Sequence, residues 1–119
     1  MQRIMCRAKI HGAVVTQTEL QYEGSITIDR DLLEAADILP SERVQVVNLS
    51  NGKRFETYVI AAPSGSGIIC LNGPAARLGA VGDPIHILSY VLVDDEVARK
   101  NFKMKTTVIG PGNVVQAVK

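Results

Sequence analysis

Tryptophan is absent from this chain, and two phenylalanines and three tyrosines make up all of its aromatic content. A core for 119 residues must therefore be assembled from Ile, Val, Leu and Ala. At this length the chain is one domain burying roughly two-thirds of its unfolded surface. Cysteine is scarce as well. Cys6 and Cys70 stand far apart, with no CxxC pair and no histidine at zinc-ligand spacing, so neither a disulfide framework nor a zinc site is indicated. Both thiols read as small buried hydrophobes. No apolar run approaches the ~20 residues that span a bilayer. Residues 1–7 are too poor in apolar side chains for a signal peptide, which points to the cytoplasm. Thirteen basic residues against twelve acidic ones give a net charge of +1, with no block of either sign. That balance gives no support to a nucleic-acid or membrane partner and is compatible with a homo-oligomer.

What the chain does have is β-branched residues in short, alternating runs. Residues 3–10 and 13–20 read as strands separated by His11-Gly12, and residues 25–29 as a third. Asp29 suits the cap of a short helix over 30–36, where Leu32, Leu33 and Ala36 form one apolar face. Residues 44–49 and 54–61 are strands, and Asn51-Gly52 between them predicts a type I′ hairpin. Pro63-Ser64-Gly65-Ser66-Gly67 is a turn leading to a strand over 68–71. Pro74 suits the start of a short helix with Asn72 or Gly73 as its cap. Residues 85–93 form the longest apolar strand, expected to be central. A helix begins at Asp94-Asp95-Glu96 and carries Arg99 and Lys100 at its other end, charges that match its dipole. Strands over 106–109 and 114–118 close the chain. Many short strands with few, short helices predict a small β-barrel.

The register of the fifth of these strands matters. On a regular strand Arg54, Glu56 and Tyr58 share one face, while Phe55, Thr57 and Val59 share the other. Arg54, Thr57 and Tyr58 cannot all face one site. Either the strand bends there, or these residues serve different sides of a site, in different subunits.

The rest of the chain is organised around Tyr22-Glu23-Gly24-Ser25. By itself this is a turn entering a strand. Taken with Lys9-Ile10-His11, with Asn51-Gly52-Lys53-Arg54-Phe55-Glu56-Thr57-Tyr58 and with Asn72-Gly73-Pro74-Ala75-Ala76, it resembles the pyruvoyl-dependent aspartate 1-decarboxylases. The likeness extends to about Arg99. The family commonly has Arg where this chain has Gly12. The resemblance implies a six-stranded double-psi β-barrel and a homotetramer with sites between subunits, with room for a maturation factor. It also implies a single domain, residues 1–119, that cuts itself between Gly24 and Ser25 into a β chain, 1–24, and an α chain, 25–119. The implied reaction is decarboxylation of L-aspartate to β-alanine and carbon dioxide, feeding pantothenate and coenzyme A synthesis.

The resemblance also assigns the chemistry. Losing carbon dioxide from a carbon that bears an amine leaves a carbanion, and no ordinary side chain is an electron sink for it. In the family Ser25 becomes a covalent pyruvoyl group that forms a Schiff base with the substrate, so neither pyridoxal phosphate nor a metal is expected. Gly24, lacking a Cβ, lets the Ser25 hydroxyl reach its carbonyl, and Thr57 would donate to the oxyanion and then contact the bound substrate. Tyr58 would give a proton to the carbanion, since a phenol keeps its proton at neutral pH. Arg54 and Lys9 would pair with the two substrate carboxylates. Gly73 and Ala75 would offer backbone N–H groups around Pro74, which has none, and Asn72 and Tyr22 would add contacts. His11 reads as a hydrogen-bonded structural residue with a base as the alternative, and His86 as core. Two rivals stand beside this reading. A barrel that only binds would leave Gly24-Ser25 intact. A pyruvoyl enzyme for another acid is the second rival, because Arg54 with Lys9 favours a diacid without separating aspartate from glutamate.

Overall fold

A computed structural model describes all 119 residues, with the chain continuous through Gly24 and Ser25. Nine strands alternate with short helical pieces. The strands are β1 (Gln2–Val14), β2 (Gln17–Glu19), β3 (Ser25–Asp29), β4 (Arg43–Asn48), β5 (Arg54–Ala62), β6 (Ile69–Asn72), β7 (Pro84–Asp94), β8 (Lys105–Gly110) and β9 (Val114–Val118). Helix α1 covers Arg30–Ala36 and α2 covers Asp95–Lys100, and single 3-10 turns cover Gly73–Arg77 and Pro111–Asn113. All strands join one sheet in the order β2-β6-β3-β5-β4-β7-β1-β8-β9. The fold is mainly β and fits a small barrel; the sheet counts nine strands where the resemblance implied six. Three neighbouring pairs, β1/β8, β2/β6 and β3/β5, run parallel among antiparallel partners. No helix is long and apolar enough to cross a membrane.

The core is aliphatic, as the shortage of aromatics requires. Ile10, Ile26, Ile28, Leu32, Leu71 and Ile87 are fully buried, and Phe55 only packs against their cluster from the side. Asp29 ties the end of β3 to what surrounds it. Its Oδ1 caps α1 by accepting from the Asp31 N–H at 2.8 Å and from Gly65 at 3.1 Å, and its Oδ2 accepts from Gly67 at 2.8 Å. One buried carboxylate thus fixes the start of the helix and the glycine-rich turn after β5.

Four local expectations are corrected. The pair His11-Gly12 does not break the first strand: β1 runs straight through it for 13 residues and is longer than β7, which has 11. Gly12, at φ +85°, makes a bulge opposite β7, and its N–H donates to Nδ1 of His86 at 3.1 Å. The turn at Asn51-Gly52 is not type I′, because only Gly52 has positive φ. Asn48 reshapes it: its Oδ1 accepts from the N–H groups of Ser50 and Asn51, and its own N–H donates to the Lys53 carbonyl, giving a four-residue loop. His86 is half-buried rather than core. Cys6 is likewise half-buried, while Cys70 is buried as expected.

Candidate active site

Strand β5 changes partner halfway along, and that change builds the site. Arg54 to Tyr58 pair with β4 in antiparallel register, ending at Arg43 opposite Tyr58. From Val59 onward the other edge pairs with β3 in parallel, Ile26 opposite Val59 through Asp29 opposite Ala62. Carried back at the same one-for-one step, that register sets Ser25 level with Tyr58 and Gly24 level with Thr57. The edge of β5 before Val59 is open on this side. A cleft of about 340 Å³ lies along it, lined by Gly24, Thr57, Tyr58, Pro74, Ala75 and Leu78 among others. Thr57 is half-buried on the inward face and Tyr58 exposed on the outward one, as alternation along a strand requires. The open edge lets both border the same cleft.

Ser25 opens β3 and is fully buried. It stands directly across from Asn72, the last residue of β6, in an antiparallel pair. Side chains of such a pair lie on one face within reach of each other. Asn72 Nδ2 accordingly donates to Ser25 Oγ at 2.9 Å, and the Ser25 hydroxyl donates to the Glu23 carbonyl at 3.1 Å. Asn72 Nδ2 also donates to Thr27 Oγ1 at 2.8 Å, while the Cys70 thiol donates to Asn72 Oδ1 at 3.1 Å. Burial pushes the Cys70 thiol pKa up, with nearby Glu19 adding to the effect, so it keeps its proton at neutral pH.

Gly73 follows at φ +61°, and a Cβ there would lie 2.6 Å from the Tyr22 carbonyl oxygen and 2.9 Å from the Gly24 nitrogen. The backbone of the 3-10 turn therefore presses against the chain just before Ser25, an approach only glycine allows. On the other side, a Cβ on Gly24 would touch Pro74 Cδ at 3.4 Å. The Gly24–Ser25 peptide is held between β5 and this turn.

The structure thus brings together Gly24, Ser25, Thr57, Tyr58, Asn72, Gly73, Pro74 and Ala75. It does not bring Lys9 and His11 to them. Both lie on β1, and β5, β4 and β7 intervene between β3 and that strand in the sheet. His11 stacks on His86 with ring centroids 4.1 Å apart. Burial first, then His11 and Lys9, lower the His86 pKa. Arg54 shares the outward face of Glu56 and Tyr58, and its Nη2 donates to Gln45 Oε1 at 3.2 Å. Tyr22 is exposed and borders a second cavity, of about 420 Å³, that reaches Asn72 from the far side with Thr27 and Cys70 in its wall. Thr27 and Cys70 escaped the sequence reading. Their signal was there: Ser25 with Thr27 and Cys70 with Asn72 are polar residues two apart on strands where the residue between each pair is Ile or Leu.

Comparison with known proteins bears on this arrangement. The model of the aspartate decarboxylase family matches residues 1–116. The chain belongs to that family. It is 57% identical over 113 residues to the aspartate 1-decarboxylase of Thermoanaerobacter pseudethanolicus, covering 95% of this chain and 96% of that protein. To its counterpart in Syntrophus aciditrophicus it is 53% identical over 116 residues, 98% of this chain and 99% of the other. A Staphylococcus aureus aspartate 1-decarboxylase is 55% identical over 115 residues, 97% of this chain and 90% of the relative. The family match continues past Arg99, so β8 and most of β9 belong to it too.

The family's pyruvoyl group fits the residues present. A serine buried at the start of a strand, a glycine before it, a donor already on its Oγ and an open cleft beside the glycine are what a group made from the chain itself requires.

Proposed function

We propose that this chain is made as a precursor that cuts itself between Gly24 and Ser25, and that the processed enzyme decarboxylates L-aspartate to β-alanine and carbon dioxide. The observation that carries the reading is the partner change of β5, which sets Thr57 and Tyr58 beside Gly24 and Ser25 while Asn72 holds the serine from β6. In the first step Ser25 Oγ bonds to the Gly24 carbonyl carbon. The Gly24–Ser25 C–N bond breaks, and the nitrogen takes up the proton. Thr57, lining the cleft level with Gly24, would donate to the carbonyl oxygen as it becomes an oxyanion, the kind of contact that dominates acyl transfer. Loss of the Ser25 α-proton then breaks the Oγ–Cβ bond, and Gly24 leaves as a carboxylate that keeps Oγ. The remaining enamine takes up water and loses ammonia, which leaves a ketone on the α chain.

That ketone supplies the electron sink the decarboxylation needs. The chain's own residues bind and orient. Arg54 stands four residues before Tyr58 on the outward face of β5, about 13 Å along the strand, with a planar fork for one substrate carboxylate. Gly73 and Ala75 offer N–H groups at the start of the 3-10 turn. Tyr58 holds a phenolic proton beside Gly24, ready for the substrate carbon once carbon dioxide has left. Lys9, and His11 with it, reach the cleft from a neighbouring copy in a homotetramer, since three strands separate β1 from β3 within one chain, while Tyr22 adds a contact from beside Gly73. A maturation factor is compatible with this scheme. We place the enzyme in the cytoplasm, making β-alanine for pantothenate and coenzyme A. Side-by-side turnover of L-aspartate and L-glutamate by the processed protein tests the substrate. β-Alanine from aspartate is the expected product, and a preference for glutamate overturns the assignment.

A further inference from the structure

The two ends of a carboxamide have almost the same shape, so what decides which way round Asn72 lies is hydrogen bonding alone. Its nitrogen faces two hydroxyls: Ser25, whose proton goes to the Glu23 carbonyl, and Thr27, which could donate as well as accept. The Thr27 contact therefore selects no orientation, and the Ser25 contact selects one only while its proton stays on the Glu23 carbonyl. The oxygen faces one partner, the Cys70 thiol, at 3.1 Å in a buried pocket. Orientation matters because of what happens to Ser25. As a free hydroxyl it accepts from Asn72, and could meet the other end of the amide only by turning its proton away from the Glu23 carbonyl. Once its oxygen has become the ester oxygen, and again when it leaves as part of the Gly24 carboxylate, it can only accept. An amide turned round would then set a lone pair against a lone pair. An amide that donates supports the serine oxygen before, during and after the acyl shift.

We propose that Cys70 is a positioning residue for self-cleavage, its thiol fixing the Asn72 amide with the N–H end toward Ser25 Oγ. This rests on the self-cleavage reading above. Burial, which pushes the thiol pKa up, keeps the donor in place across neutral pH. Thr27 completes the arrangement by taking the second N–H.

The test is a time course of intact mass on freshly purified precursor, comparing the parent with C70A, C70S, N72A and the double variant C70A/N72A. The expected result is that C70A cuts about tenfold more slowly, the size of effect a buried acceptor left without its donor produces. C70S, which keeps a donor at that place, cuts within about twofold of the parent. In the N72A background C70A adds nothing, because its effect passes through the amide. Melting curves accompany each variant. If C70A does not fold, Cys70→Val, which fills the space without a donor, takes its place. C70A cutting at the parent rate overturns the inference, and so does C70S cutting as slowly as C70A, or a full tenfold added on top of N72A. A parent that never cuts overturns the self-cleavage reading and this inference with it. A parent that cuts while C70A keeps pace overturns this inference alone.

Discussion

Thr57 and Tyr58 are neighbours on β5 yet face opposite ways, and the account gives them separate reactions. Thr57 serves the acyl shift, so Thr57→Val, which keeps the shape and removes the donor, should slow self-cleavage by about 100-fold. The fraction cut, followed by gel or mass, checks it, and processing at the parent rate removes Thr57 from the mechanism. Tyr58 serves the later reaction only. Tyr58→Phe should therefore cut as the parent does and then lose turnover by about 100-fold or more, the usual range for a proton-transfer group. A steady-state assay on fully cut protein reads this directly. The two variants differ in the first reaction: Thr57→Val delays the cut that Tyr58→Phe leaves at the parent rate. At this scale Gly24-Ser25, Thr57-Tyr58 and Asn72-Gly73 were legible, because short motifs carried them. Thr27 and Cys70 left only a polar alternation in the sequence, which gains meaning once β3 is seen paired with β6.

Among the elements, β3 depends on Asp29 more than on its own length of five residues. That carboxylate accepts from three backbone N–H groups, and removing it strands donors at the start of α1 and in the Gly65–Gly67 turn. Asp29→Ala should cost about 2 kcal/mol or more of unfolding free energy, a capping loss plus unsatisfied buried donors. Urea denaturation of an uncut Ser25→Ala background measures it without interference from cleavage. A midpoint equal to the background would show that the turn finds other partners. The Asp29 cap was readable from sequence because capping is local. The turn after β4 was misread for the converse reason. Asn51-Gly52 carries the local hairpin signal, but Asn48, itself buried and donating to Asp83 at 2.9 Å, captures the loop's N–H groups. The His11-Gly12 bulge also needed the partner strand: a glycine between two apolar runs looks like a break until β7 is seen running past both.

Across the whole molecule, one copy of the chain holds the bond to be cut but not the full set of charges an aspartate needs. Lys9 lies on β1, beside the His11–His86 stack, and that stack has a consequence for stability. Because the folded pKa of His86 lies below its ordinary 6.5, the unfolded chain binds more protons than the native one between the two values. Stability therefore rises with pH in that window, is intact above it, and is lost as pH falls through it. Glu42 works in the same direction further down. Burial, its largest single influence, raises its carboxyl, but Ser89, the Leu39 N–H and Arg7 together outweigh that and hold it below its ordinary 4.5. Urea midpoints for the parent should therefore fall between about pH 7.5 and about pH 5.5, and His86→Phe, which keeps a ring on His11, should flatten that slope. An unchanged slope in His86→Phe would place its origin elsewhere. The barrel class was legible from many short strands with few, short helices. The chain order of the sheet was not, since its parallel pairs join segments tens of residues apart.

The central claim is that Ser25 attacks the peptide bond before it, and intact mass of the purified protein under denaturing conditions, followed over time, tests it most directly. The account predicts two species, residues 1–24 ending in a carboxyl group and a larger chain lighter by one ammonia than residues 25–119. A single mass for residues 1–119 that persists through long incubation and heating would contradict it, and would leave a barrel that holds Ser25 in place without ever using it.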